Sequence, residues 1–170
     1  MDLKNYIRNI QDYPKEGILF RDITTLLKDK DAFKFAIDSM AKQVEDKKID
    51  YIVGAESRGF LIGSALAYRL NCGFVPVRKK GKLPCKTISE EYALEYGTDS
   101  LYMHEDAINK GANVLIVDDL IATGGTALAM MKMVERLGGN IVGSSFLIEL
   151  KELNGRKDIS KYPVNVLIEY

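Results

Sequence analysis

Residues that bind metals or carry redox chemistry are scarce in this chain, which has two cysteines and one histidine among 170 residues. Cys72 and Cys85 are thirteen positions apart, a spacing that fits neither a CxxC redox pair nor a zinc-ligand pattern, and His104 is the sole imidazole. A structural zinc site and a disulfide framework are therefore not expected, and a reducing, cytoplasmic setting fits best. An excess of charge of one sign is also missing, since 24 Lys and Arg balance 24 Asp and Glu. No global field draws the molecule to nucleic acid or to an anionic membrane, so any anion site must be local. Long apolar runs are lacking too. The longest apolar-leaning stretch, Gly59 to Tyr68, stops at Arg69 and is about half of what a membrane span needs, so it reads as a buried helix. Residues 1–11 are dotted with charged and amide side chains, and no export signal is expected there. Two nucleotide-binding signatures fail as well. No glycines are spaced G-x-G, and the G-x-x-x-x-G at Gly54 to Gly59 continues Phe60-Leu61 where a P-loop needs Lys and a hydroxyl.

What is present suffices for one core. A chain of this length with 46% hydrophobic residues suits a single domain over residues 1–170. Its opening, residues 1–30, reads as an arm, with a turn at Tyr13-Pro14-Lys15-Glu16-Gly17 and an extended Ile18-Leu19-Phe20. Phe33, Ala36, Ile37, Met40, Ala41 and Val44 then recur at helical spacing, with Asp31 placed to cap the helix. Tyr51-Ile52-Val53, a helix running to about Leu70, and Phe74 to Val77 form a β-loop-α-β unit. Val114 to Val117, a helix from Gly125 to about Leu137, and strands at Ile141 to Leu150 and Val164 to Ile168 follow. Apolar strands alternating with helices predict an α/β fold: an open, mainly parallel, twisted sheet with helices on both faces. The polar, glycine-punctuated insertion at 78–103 interrupts this rhythm and reads as a β-rich flap over one edge.

The most informative segment runs from Val114 to Thr126, a buried strand ending in Asp118-Asp119 and then the small-residue loop Ala122-Thr123-Gly124-Gly125-Thr126. Ligands of open α/β sheets bind at the carboxyl ends of strands. Closely approaching backbone N–H groups, two hydroxyls and a helix start make this loop a phosphate cradle. The two acids would be repelled by that phosphate and suit ribose hydroxyls instead, so a sugar phosphate is implied. This string resembles the PRPP-binding motif of the type I phosphoribosyltransferases. The resemblance implies that Asp118 and Asp119 contact the ribose hydroxyls of PRPP and that Ala122, Thr123, Gly124, Gly125 and Thr126 hold its 5-phosphate.

Three further segments are similar to the adenine phosphoribosyltransferase family over essentially the whole chain. They are Phe20-Arg21-Asp22-Ile23, then Glu56-Ser57-Arg58-Gly59-Phe60 together with Arg78 to Pro84, and finally Leu94-Glu95-Tyr96-Gly97. Arg58 sits in a loop leading into a helix, where it either grips pyrophosphate or is an ordinary surface arginine. Five of the nine residues from Arg78 to Lys86 are cationic, which suits either a polyanion or a solvated loop. The resemblance implies that Ser57, Arg58, Lys79 and Lys82 bind PRPP at its pyrophosphate, with Lys82 from this chain or from a neighbouring subunit. It implies that Leu19, Phe20 and Arg21 read adenine largely through backbone groups while Phe20 and Leu120 pack on its faces. From the residues alone, Phe20 reads first as plain core, since a single aromatic in a short apolar run is ordinary. Glu95 would share a proton at N7 of the base, and Tyr96 would help the flap exclude water, so Glu95, Tyr96 and Arg58 are the expected catalytic residues. Magnesium is expected with the substrates, held mainly by PRPP and pyrophosphate oxygens rather than by an all-protein site, and a homodimer is implied. His104, beside Glu105-Asp106, reads as surface.

Two other functions share the loop. One is a non-catalytic PRPP-sensing regulator, but only nineteen residues precede Phe20, too few for a helix-turn-helix domain, and the formal net charge is zero. The other is a phosphoribosyltransferase acting on hypoxanthine and guanine, xanthine or orotate, against which Phe20-Arg21-Asp22 and Leu94 to Gly97 argue.

Overall fold

A computed structural model describes residues 1–93 and 97–170 of the chain. Among the described residues, two short strands, β1 (Arg8–Gln11) and β2 (Leu19–Asp22), pair antiparallel and form the arm. The short helix α1 (Thr24–Lys28) leads into α2 (Lys30–Lys42). Asp29, not Asp31, caps α2: its carboxylate accepts from the N–H groups of Asp31 at 3.1 Å and Ala32 at 2.9 Å. The cap must have an extended backbone and reach two and three residues forward. Asp29 does so at φ −87°, ψ 112°, while Asp31 already lies in the first turn.

The strands β3 (Tyr51–Ala55), β4 (Gly73–Val77), β7 (Asn113–Ile121), β8 (Asn140–Glu149) and β9 (Val164–Glu169) form one parallel sheet in the order β4-β3-β7-β8-β9. Helix α3 (Arg58–Leu70) links β3 to β4, and α4 (Gly125–Arg136) links β7 to β8. The side-chain period of two in β7 divides the core. Leu115 and Val117 pack with α2 and α3 on one face of the sheet. Val114 and Ile116 pack with α4 on the other. Burial on both faces is why this strand reads as a bare apolar run.

The insertion contains the antiparallel hairpin of β5 (Thr87–Ala93) and β6 (Thr98–His104). Paired Arg78–Tyr102 backbone hydrogen bonds of 2.9 and 2.8 Å fasten it beyond the end of β4. Arg136 of α4 donates to the Ser89 carbonyl at 2.6 Å and so ties the hairpin to that face. Leu94, Glu95 and Tyr96 lie outside the described residues. No helix among the described residues is long and apolar enough to cross a membrane.

Candidate active site

From the strand order, β3 sends its chain toward β4 and the neighbouring β7 sends its chain the opposite way, toward β8. The carboxyl ends of β3 and β7 are therefore the switch point where open α/β sheets form a crevice. Gly54 of β3 lies in register with Val117 of β7. This sets Glu56, Ser57 and Arg58 beside Asp118 and Asp119.

At the β7 end, residues Asp118 and Leu120 to Ala127, with Phe146, line a cavity of about 90 Å³, well above the ~10–15 Å³ that a single water requires. Gly124 caps α4 with φ +87°, a left-handed conformation that favours glycine. The first N–H groups of α4 have no partners within the helix and open toward the loop. Thr123 and Thr126 add hydroxyls.

Asp119 is buried, and its Oδ2 lies 3.0 Å from Arg58 Nε. The contact is ionic rather than hydrogen-bonded. Asp119 Oδ2 and Arg58 Nη1 are both buried without a hydrogen-bond partner, the kind of spare capacity that a bound hydroxyl or polyanion satisfies. Asp118 Oδ1 accepts from the Asp119 N–H at 2.9 Å. It is so close to the start of α3 that a Cβ on Gly59 would lie 2.5 Å from it. Burial pushes the Asp118 carboxyl well above the usual carboxylate range, and the neighbouring Asp119 charge pushes it further. Burial raises Asp119 too, with the Arg58 cation opposing the rise.

The arm reaches the same crevice. The Arg58 guanidinium lies 5.0 Å from the Phe20 ring centre, within cation–π range, and Tyr13 packs edge-on against Phe20 at 5.1 Å. Leu19 is exposed and Leu120 is half-buried against the α2–α3 core. The Arg21 side chain points elsewhere: it stacks on Tyr170 at 3.7 Å and donates to Asn9 at 2.5 Å. Any contact it makes with the base falls to its backbone.

The cationic loop is less concentrated than its sequence suggests. The Lys79 ammonium is engaged by Asp99 and Tyr92 of the hairpin, and the Lys79 N–H donates to Glu56 Oε1. Lys82 and Ser57 are exposed. Glu95 and Tyr96 cannot be placed, lying outside the described residues. Glu56 and Asp99 carry structural contacts that the sequence does not signal, since each depends on a partner twenty or more positions away.

The family model of the phosphoribosyl transferase domain matches residues 24–169. The chain is 85% identical to the adenine phosphoribosyltransferase of Brachyspira hyodysenteriae over all of both chains. It superposes on the crystal structure of adenine phosphoribosyltransferase from Thermoanaerobacter pseudethanolicus with a TM-score of 0.97 at 54% identity, covering 99% of this chain and 98% of that one. The Saccharomyces cerevisiae enzyme, complexed with an imino-altritol bisphosphate and adenine, matches with a TM-score of 0.94 at 44% identity, covering 98% and 96%. With matches of this identity running from end to end, the chain belongs to the adenine phosphoribosyltransferase family.

Proposed function

We propose that this site transfers the 5-phosphoribosyl group of PRPP to N9 of adenine, giving AMP and pyrophosphate. The observation that carries this reading is the juxtaposition, at one strand switch point, of the Asp118–Asp119 pair, the Ala122–Thr126 cradle and Arg58 under Phe20. The cradle takes the 5-phosphate, the two carboxylates accept from the ribose hydroxyls, and Arg58 with Ser57, Lys79 and Lys82 receives the pyrophosphate. Hydrogen bonds to a charged group, at about 1.5 to 3 kcal/mol each, outweigh the helix dipole at about 0.3 to 1, so the loop rather than α4 holds the anion.

Adenine lies between Phe20 and Leu120, read by backbone groups of residues 19–21. A backbone N–H and C=O match N1 and the exocyclic amine of adenine, whereas hypoxanthine reverses that pattern and would strand buried polar groups. Glu95 holds the N7 proton as N9 attacks the anomeric carbon, and Tyr96 helps the hairpin exclude water.

Magnesium would offset pyrophosphate charge while held mainly by substrate oxygens and water. No cluster of three or more His, Cys, Asp and Glu suited to a metal occurs among the described residues. With Asp118 and Asp119 given to the ribose hydroxyls, the ion would rest on phosphate oxygens and its own waters. A homodimer in the cytoplasm completes the reading. The exposure of Leu61 and Tyr68, seven apart on α3, with Tyr68 91% exposed, supports the association, and the free thiols of Cys72 and Cys85 suit a reducing compartment.

The test is nucleotide formation from PRPP and magnesium with adenine, hypoxanthine, guanine, xanthine and orotate in turn, with Glu95→Gln in parallel. Turnover of adenine alone, badly slowed by Glu95→Gln, is expected. Turnover of another base refutes the specificity, and PRPP binding without any turnover refutes the enzyme.

A further inference from the structure

We propose that Gly155, fixed by the Arg156–Glu149 ion pair, is a positioning residue that sets the shape of the phosphate loop from behind. It rests on the reading of Ala122 to Thr126 as the 5-phosphate cradle.

Gly155 opens a short 3-10 turn, Gly155–Ile159, after β8 and is itself buried. A Cβ built on it would lie 2.4 Å from the Ala122 carbonyl oxygen and 3.0 Å from the Gly124 nitrogen. The relation is reciprocal, for a Cβ on Gly124 would lie 2.4 Å from the Gly155 carbonyl oxygen. Two bare backbones thus touch at the base of the cradle. Gly124 has two reasons to be glycine, its positive φ and this contact. Gly155 has only the contact, because its backbone lies outside the left-handed region. A side chain there acts by pushing the loop.

The turn is held where it can serve as a backstop. Arg156 Nε donates to both Glu149 oxygens at 2.8 Å, and Nη2 adds bonds of 2.5 Å to Glu149 Oε2 and 3.1 Å to Glu169 Oε1. Glu149 is 4% exposed and pairs in register with Ile121, the residue immediately before the loop. The Leu150 N–H donates to the Ile121 carbonyl at 3.0 Å. One rigid corner of the sheet therefore holds both the root of the loop and the turn behind it. A bidentate guanidinium fits this task better than a lysine, because its fork fixes direction as well as charge.

Anion affinity here depends on aiming several N–H groups at one point, and displacement of such a constellation by ~1 Å costs on the order of 100-fold. Gly155→Ala must move the Ala122 carbonyl and so should raise the KM for PRPP by roughly 10- to 100-fold. It should weaken ribose 5-phosphate binding measured by calorimetry in parallel, and leave the KM for adenine unchanged. Arg156→Lys, which keeps the charge but loses the fork, should shift the same two quantities less, and it supplies the test if Gly155→Ala does not fold. An unchanged KM for PRPP in both folded variants overturns the proposal, as does an equal rise for both substrates. Thr123→Val and Thr126→Val, measured alongside, separate the two levels. If they too leave ribose 5-phosphate binding intact, the cradle reading has failed. If they weaken it while Gly155→Ala leaves it at the parent value, only the positioning role has.

Discussion

Arg58 Nε lies 3.0 Å from Asp119 Oδ2, and this contact joins the loop after β3 to the end of β7 across the crevice. Arg58→Ala leaves a buried carboxylate without its cation. We expect a stability loss of about 1 to 3 kcal/mol, read as a lower Tm, together with a large fall in kcat/KM for PRPP. The pH profile gives a sharper readout. Burial raises Asp119 and Arg58 opposes it, so removing the cation raises the carboxyl further. The acid limb of PRPP binding should move to higher pH in Arg58→Ala, and a limb that stays in place refutes the coupling.

Asp118 is maintained at a cost to the fold. Its folded-state pKa is raised, first by burial and then by Asp119. The stability this group allows is complete below the unfolded value of ~3.9 and is lost as pH rises through the folded value. Asp118→Asn removes that loss while its amide oxygen can still accept from the Asp119 N–H. We expect a higher Tm at pH 7, by about 2 to 4 °C per kcal/mol relieved, with the gain vanishing near pH 4 and PRPP binding sharply weakened. Equal melting at pH 7 would show that ionised Asp118 is not strained.

Lys79 has two suitors. In the hairpin-bound arrangement its ammonium is held by Asp99 and Tyr92, whereas the proposed reaction asks it to meet pyrophosphate. Lys79 and Asp99 are each 39% exposed, so their pairing is worth about 1 kcal/mol at most. Asp99→Asn should accordingly lower the KM for PRPP by up to about five-fold. An increase instead would mean that Asp99 aims Lys79 rather than withholding it.

Much of this was readable before any coordinates, for physical reasons that differ from element to element. A strand buried on both faces must be apolar throughout, so Val114 to Val117 announces β7, and the abrupt Asp118-Asp119 marks the end at which the proposed site lies. Glycines and threonines opening a helix identify the loop. The first strand of the arm was not legible, because β1 is four residues long and mostly exposed and shows no alternation. The cap of α2 was misplaced by two positions because both Asp29 and Asp31 are chemically suitable and only backbone geometry separates them. The role of Gly155 is invisible in sequence, since what makes glycine necessary there is a carbonyl some thirty residues earlier.

The root of the arm depends on Asp22. Its carboxylate accepts from the Thr24 N–H at 2.9 Å, the Thr24 hydroxyl at 2.8 Å and Arg8 Nε at 2.9 Å. Burial alone would raise Asp22, but these donors outweigh it and hold the carboxyl low. Its stabilisation is therefore present above ~pH 3.9 and is lost as pH falls through the lower folded value. Asp22→Ala should cost about 1 to 3 kcal/mol and raise the KM for adenine more than that for PRPP. The stability difference from the parent should shrink in acid, as paired denaturant titrations at pH 7 and pH 3 would show.

The stacking of Arg21 on Tyr170 ties the two ends of the chain together. Tyr170 is seated by backbone hydrogen bonds with Glu149 and Lys151, so the arm draws support from the pairing of β9 with β8. Arg156, bonded to Glu169 of β9, gives the turn behind the small-residue loop the same anchor. The last strand thus braces both sides of the proposed site at once, and loosening it would be felt at the arm and at the loop together.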